Sequence, residues 1–317
     1  MNPAPAAATA VARYRGRFAP SPSGPLHFGS LIAALASFCD ARAADGEWLV
    51  RIEDVDTPRT RPGAESAILR TLERYQFAWD GAVLRQSDRS ALYDSALGTL
   101  AARNVVYACV CSRRDLENAP HTATGERCYP GTCRGRGVTV AAGRRHALRV
   151  AVGDDSVAFT DRLQGPQRQQ LATDVGDFVV RRADGLHAYQ LAVVIDDAEQ
   201  GINTVVRGAD LLASTPRQIF LQQLLGLPAL SYLHVPVAIH RSGAKLSKQT
   251  LAQRLPDDPL PALLAAWRFL DQSPPHAALA SVAEFWAFAH AAWSPRRLPP
   301  VSMLPAPAQF DQTPAPA

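Results

Sequence analysis

Between Pro20 and Pro25 the chain reads Pro-Ser-Pro-Ser-Gly-Pro, and a stretch with three prolines and a glycine can be neither helix nor paired strand. It must be a rigid turn. Before it, Tyr14–Phe18 is a short apolar and basic run that reads as a strand. After it, Leu31, Ala34, Leu35 and Phe38 recur at helical spacing. The chain therefore opens as strand, turn and helix, with His27 and Gly29 at the mouth of the helix. A helix N-terminus presents unpaired N–H groups and the positive end of the dipole, which suits a phosphate. Gly29 lets a ligand approach the backbone, and His27 can donate a proton-bearing nitrogen to a phosphate oxygen.

The compact apolar run Trp48–Ile52 adds a second strand and completes a βαβ unit, which predicts an α/β fold with parallel pairing and a right-handed crossover. In such sheets ligands bind at the carboxyl ends of strands, so Glu53 and the Arg17–Ser21 turn become neighbours. Helices are expected over 63–75 and 88–103, the second with Ser87 as N-cap. A strand is expected near Asp177–Arg181, then a helix over His187–Asp197. A buried strand over Asn203–Asp210 would deliver Arg207 and Asp210 to its carboxyl end. An arginine there can grip a carboxylate bidentately, and Tyr189 can supply a phenol donor nearby. A helix should begin at Ser214 and stop at Gly226, and two more should occupy 260–270 and 276–293. Between these groups lies Gly243-Ala-Lys-Leu-Ser-Lys-Gln249, where Lys245 and Lys248 can bring ammonium charge onto a polyphosphate.

Composition narrows the class. The 317 residues are 47% hydrophobic and 20% charged, as in a globular protein with a sizeable core. No run approaches the 18 or more apolar residues that span a bilayer. Met1–Ala12 is rich in Ala and Pro without the pattern of a signal peptide, so the expectation is a disordered leader on a cytoplasmic, non-membrane protein. A net charge of +4 and a pI near 8.9 are compatible with an RNA partner. Four of the five cysteines fall between Cys109 and Cys133, a spacing that argues for a metal site in a reducing compartment rather than a disulfide framework. Zinc chemistry alone would suggest the four sulfurs of Cys109, Cys111, Cys128 and Cys133. The basic stretch that follows, Arg134, Arg136, Arg144, Arg145, His146 and Arg149, is a candidate RNA-phosphate surface.

Pro25-Leu-His-Phe-Gly-Ser30 resembles the "HIGH" motif, and Lys245-Leu-Ser-Lys-Gln249 the "KMSKS" motif, of class I aminoacyl-tRNA synthetases. Arg51-Ile-Glu-Asp-Val-Asp56, Arg17–Pro22 and the stretch Tyr189–Gln218 look like the glutamyl branch. The resemblance implies a Rossmann-like catalytic domain with a zinc-stapled insertion and a short C-terminal helical segment. It implies that Arg17, Phe18, Ala19, Pro20, Ser21, Glu53, Tyr189 and Arg207 bind glutamate. His27, Gly29, Ser30 and Lys248 would bind ATP with Mg²⁺, and His27, Lys245 and Lys248 would act in catalysis. Ser30 and Gln249 depart from the motifs, where His and Ser are usual.

Cys-x-Cys followed by Tyr-x-x-x-Cys is similar to the pattern of glutamyl-queuosine tRNA(Asp) synthetases, which implies Cys109, Cys111, Tyr129 and Cys133 as ligands of one structural Zn²⁺. Cys128 stands outside that pattern. About 45 residues separate the lysine loop from a Pro/Ala-rich tail starting at Ser294, too few for an anticodon-reading domain. Disorder is expected in that tail. The expected organisation is a leader over 1–12, first catalytic half over 13–104, zinc insertion over 105–170, second half over 171–240, lysine loop with helices over 241–293, and tail over 294–317. The function implied is tRNA-independent activation of L-glutamate to glutamyl-adenylate, then transfer to queuosine in tRNA(Asp) by a monomer. The alternatives are a minimal glutamyl-tRNA synthetase charging a tRNA 3′ end and a catalytically silent zinc-containing RNA-binding protein.

Overall fold

In the computed structural model, described over residues 13–121, 125, 127–137, 144–241, 243 and 253–311, the opening strand, turn and helix form as the sequence demands. Strand β1 (Arg15–Phe18) leads through the proline turn into helix α1 (Phe28–Ala43), whose N-cap is His27 in extended conformation. Strand β2 (Glu47–Ile52) returns parallel to β1, pairing Arg17 with Leu49 and Phe18 with Val50. The turn is pinned to this sheet edge, because the Glu53 N–H donates to the Pro20 carbonyl and the Arg61 N–H to that of Pro22. Helix α2 (Ala64–Arg74) crosses to the two-residue strand β3 (Leu84–Arg85), parallel to β2. Helix α3 starts only at Ser90 and runs to Ala102. Ser87 is not its cap: its hydroxyl and N–H both bond Asp54, and a 3-10 turn over Gln86–Arg89 precedes the helix.

Strands β4 (Val106–Cys109) and β5 (Ala147–Val150) bracket the cysteine-rich segment. The hairpin β6 (Ser156–Asp161) and β7 (Gly165–Gln170) follows, then the short helix α4 (Leu171–Asp174). Strand β8 (Phe178–Arg181) pairs antiparallel with β5, so the insertion's sheet is closed by residues counted by sequence with the second catalytic half. Helix α5 (Tyr189–Glu199), strand β9 (Thr204–Gly208), helix α6 (Thr215–Leu225) and strand β10 (Ser231–Val235) rebuild the parallel motif, with β9 and β10 in register. Gly226 ends α6 in the left-handed conformation, φ 68°, as a helix C-terminus favours. β9 comes alongside β1, because Asn203 donates its N–H to the Arg15 carbonyl and accepts the Arg15 N–H on Oδ1. The larger core packs α1 against this framework, with Phe38, Trp48, Phe77 and Trp286 in mutual ring contact.

Strand β11 (Val237–Ile239) leads towards the lysine loop; helices α7 (Pro259–Phe269) and α8 (Val282–Ala292) follow it. The tail corrects the sequence expectation. Through Asp311 it is folded: strand β12 (Met303–Pro305) pairs parallel with β11, and the Phe310 ring stacks on Phe28 with centroids 4.1 Å apart. Asp311 accepts from His240 Nδ1 at 2.9 Å. Average composition pointed to disorder, but one strand pairing, one aromatic stack and one partly buried side-chain hydrogen bond hold the segment. Among the described residues no helix is long and apolar enough to cross a membrane.

Candidate functional site

The carboxyl ends of β1, β2, β9 and β10 surround a cavity of about 650 Å³. Its lining includes every residue assigned by sequence to glutamate: Arg17, Phe18, Ala19, Pro20, Ser21, Glu53, Tyr189 and Arg207. His27, Gly29 and Ser30 line the same cavity, so the two expected half-sites are one space. Lys245 and Lys248 lie outside the described residues. The flanks of their loop are nevertheless fixed beside the motif at the start of α1. Arg254 forms a bridge to His27, and the Leu255 N–H donates to the Leu26 carbonyl at 3.0 Å. Gly243 closes a turn onto the His240 carbonyl at 2.8 Å.

The polar floor is a buried charge lattice of which sequence reading found only part. Arg17 forks onto both oxygens of Asp197, at 3.0 and 3.2 Å. Arg51, fully buried, reaches Asp197 at 2.8 Å and Glu53 at 3.2 Å. Asp196 accepts from Arg89, Gln86 and Tyr93. Burial works against ionisation of Asp197, but Arg17 and Arg51 outweigh it and hold the carboxyl below its usual range. For Glu53 the balance tips the other way: burial pushes the carboxyl up, and Arg51 and Arg17 only partly offset it. A cation arriving beside Glu53 would favour its ionised form and offset that burial. Burial also pushes the Tyr189 phenol up to about 12, which keeps it a hydrogen-bond donor at neutral pH. Opposite, Arg207 is buried with its Nη1 atom lacking any protein partner among the described residues. A buried cationic donor of that kind calls for an anion.

A second cluster sits in the insertion. The sulfurs of Cys109, Cys111 and Cys133 lie close enough together to hold a metal ion. The Tyr129 hydroxyl stands 3.4 Å from the Cys109 sulfur and 3.6 Å from that of Cys111, and the Cys111 and Cys133 sulfurs are 3.5 Å apart. A tetrahedral ion with metal–sulfur bonds of about 2.3 Å requires ligand separations of roughly 3.5–3.8 Å, so these four groups fit the edges of such a site. Cys128 does not join them; its thiol faces the Thr173 carbonyl at 3.5 Å, and the four-sulfur set is not assembled. Gly176 makes the packing possible: at φ 72°, any Cβ there would lie 2.3 Å from the Tyr129 carbonyl oxygen.

Burial pushes the Cys111 thiol up to about 11. For Cys133 burial is outweighed by hydrogen bonds from Tyr129 and the Val110 backbone, which bring it down to about 7. Arg149, read from sequence as a phosphate contact, turns inward instead. Its Nε donates to the Cys109 sulfur at 3.3 Å, its guanidinium carbon stands 3.8 Å from the Tyr129 ring centroid, and Nη1 donates to the Asp177 carbonyl. Arg134 likewise pairs with Asp177, at 3.2 Å, while Arg136, Arg144 and Arg145 remain exposed.

Residues 13–259 match the family described as tRNA synthetases class I (E and Q), catalytic domain, and the chain belongs to that family. Within it, the relatives found are specific. Over 300 residues the chain is 56% identical to the glutamyl-Q tRNA(Asp) synthetase of Dechloromonas aromatica, covering 93% of this chain and 99% of that one. It is 53% identical to the protein of that name from Aromatoleum aromaticum, covering 94% of each. The fold is also that of the glutamate-tRNA synthetase from Elizabethkingia anophelis, with a TM-score of 0.74 at 23% identity, over 94% of this chain and 69% of that one.

Proposed function

We propose that this enzyme is a ligase that activates L-glutamate with ATP, without RNA, and passes the glutamyl group to queuosine in tRNA(Asp) in the cytoplasm. The observation that carries the reading is the unpartnered Nη1 of Arg207, a residue lining a cavity that Glu53 and the α1 N-terminus also line. Arg207 would take the side-chain carboxylate and Glu53 the α-ammonium, leaving the α-carboxylate directed at the nucleotide. One carboxylate oxygen then bonds the α-phosphorus as the bond from that phosphorus to the bridging oxygen breaks, and pyrophosphate leaves. Positioning and cationic stabilisation suffice, with no covalent enzyme intermediate. His27, Gly29 and Ser30 would hold phosphates at the helix mouth, and Lys245 and Lys248 would neutralise the leaving pyrophosphate. Mg²⁺ arriving with ATP supplies further charge neutralisation on the phosphate oxygens. In the second step a queuosine hydroxyl attacks the glutamyl carbonyl and AMP leaves, the hydroxyl proton passing to solvent or to the departing phosphate. The exposed arginines of the insertion would meet the RNA backbone.

Purified protein should therefore catalyse glutamate-dependent ATP–pyrophosphate exchange with no RNA present, and should do so poorly with glutamine or aspartate. Exchange appearing only after addition of tRNA(Glu) would overturn the reading in favour of a minimal glutamyl-tRNA synthetase.

Cys109, Cys111, Tyr129 and Cys133 would hold one structural Zn²⁺, with Arg149 offsetting the negative charge of the ligand set. Elemental analysis should find about one zinc per chain, and a Cys133→Ser variant should lose it together with the protection of 105–121 and 127–137 against proteolysis. Full zinc retention in that variant would remove Cys133 from the ligand set.

A further inference from the structure

Arg207 is anchored from behind by a chain of buried polar groups that crosses from the β6–β7 hairpin into the cavity wall. A guanidinium has five N–H groups. In Arg207 the Nε–H donates to His234 Nε2 at 3.0 Å, and Nη2 donates to Thr215 Oγ1 at 2.9 Å and Gln218 Oε1 at 2.7 Å. His234 is 0% exposed, and its Nδ1 lies 2.6 Å from Asp161 Oδ2. The other Asp161 oxygen accepts the backbone N–H groups of Leu163, Gln164 and His234. Since Arg207 Nε can only donate, His234 Nε2 must accept. The single ring proton then sits on Nδ1 and is donated to Asp161. One tautomer of a neutral imidazole satisfies every partner.

We propose that Asp161 and His234 are positioning residues that lock the Arg207 guanidinium with its Nη1 edge turned to the cavity, and so set the affinity for a substrate carboxylate. The interposed imidazole has a reason. A carboxylate placed directly on Arg207 would occupy a bidentate edge and compete with the ligand. Through the ring, Asp161 fixes orientation while only Nε is used. The inference rests on the reading of Arg207 as the carboxylate anchor.

The groups facing His234 are Asp161 from the hairpin, Arg207 from β9, Thr215 from α6 and Tyr232 on its own strand, with Asp210 at longer range. Burial holds the imidazole below its ordinary value, so the ring is neutral at pH 7. A second proton, gained in acid, would point Nε2–H at Arg207 Nε–H and break the arrangement.

The test compares the KM for glutamate and for ATP in pyrophosphate exchange, with calorimetric glutamate affinity, in Asp161→Asn, His234→Ala, His234→Gln and Arg207→Ala. In Asp161→Asn the amide oxygen keeps the backbone acceptor role. Its NH₂ now donates to His234 Nδ1, which drives the ring proton onto Nε2 against Arg207. This tautomer error, and removal of the ring in His234→Ala, should each raise the glutamate KM and Kd ~10–100-fold while the ATP KM stays within about twofold. His234→Gln, whose Oε1 can accept from Arg207, should recover most of the affinity. It should also abolish the loss of glutamate affinity expected of the unaltered protein as pH falls. Asp161→Asn and His234→Gln preserve volume, so they decide the matter if His234→Ala fails to fold. Near-normal glutamate affinity in Asp161→Asn, alongside a large loss in Arg207→Ala, would overturn the proposal and leave the anchor standing. Parallel rises in glutamate and ATP KM would overturn it as well, in favour of a general structural role. Unchanged glutamate affinity in Arg207→Ala would remove the anchor, and the positioning pair with it.

Discussion

An Arg51→Leu chain should be less stable than the unaltered protein by roughly 3–5 kcal/mol, the usual cost of removing one partner from a buried ionic cluster. Arg51 is fully buried and bonds Asp197, Glu53 and Gln200, with Asp196 3.9 Å from its Nε. Leucine would fill part of the volume but would leave three carboxylates facing only Arg17 and Arg89. Replacing Asp197 by Asn in the same chain should return part of the loss, because the uncompensated charge falls. Urea unfolding of the single and double variants measures both effects. A loss under about 1 kcal/mol for Arg51→Leu would mean that solvent or rearrangement compensates the cluster.

Arg207→Ala carries the largest expected effect on activity. Glutamate activation should fall ~10²–10³-fold in kcat/KM, chiefly through KM, because the charge-assisted, desolvated pair proposed between Arg207 and a substrate carboxylate would be lost. The ATP KM should change little. Arg207→Lys should fare nearly as badly: an ammonium cannot keep its bond to His234 and also present a second donor edge to the ligand. Steady-state exchange kinetics at saturating ATP check this, and a loss under threefold in the alanine variant would displace Arg207 from the substrate.

The parts of the site legible in the sequence were those fixed by local backbone chemistry. Pro20, Pro22 and Pro25 could only make a turn, and a turn between β1 and α1 necessarily puts Ala19, Ser21 and His27 at one sheet edge. Glu53 followed from its place just past a strand end. What escaped were the partners across long sequence separations. Asp197 on α5 meets Arg17 of β1 and Arg51 of β2 only once the chain has folded, and nothing in the adjacent pair Asp196–Asp197 states which cations each will face. Asp161 and His234 were invisible for the same reason. Spacing around Tyr129 left two ligand sets open, and the choice between them depended on which way Cys128 turned. The folded tail escaped because average Pro and Ala content says nothing about a single phenylalanine finding a ring to stack on.

That tail gives the cavity two ends of unequal resilience. The walls around Arg17, Glu53 and Arg207 belong to parallel strands in the middle of the fold. At the helix mouth, β11 is tied to β12 by a few backbone bonds, Val237 N–H to Ser302 and Ala306 N–H to Ile239, with the Phe28–Phe310 stack beyond them. A three-residue strand held this way can detach at a free energy well below that of global unfolding. Breathing of the native state should thus concentrate at the α1 N-terminal end of the cavity, beside the flanks of the lysine loop. Amide hydrogens of β11 and β12 will exchange with solvent through these openings while those of β1 and β9 await disruption of the whole core.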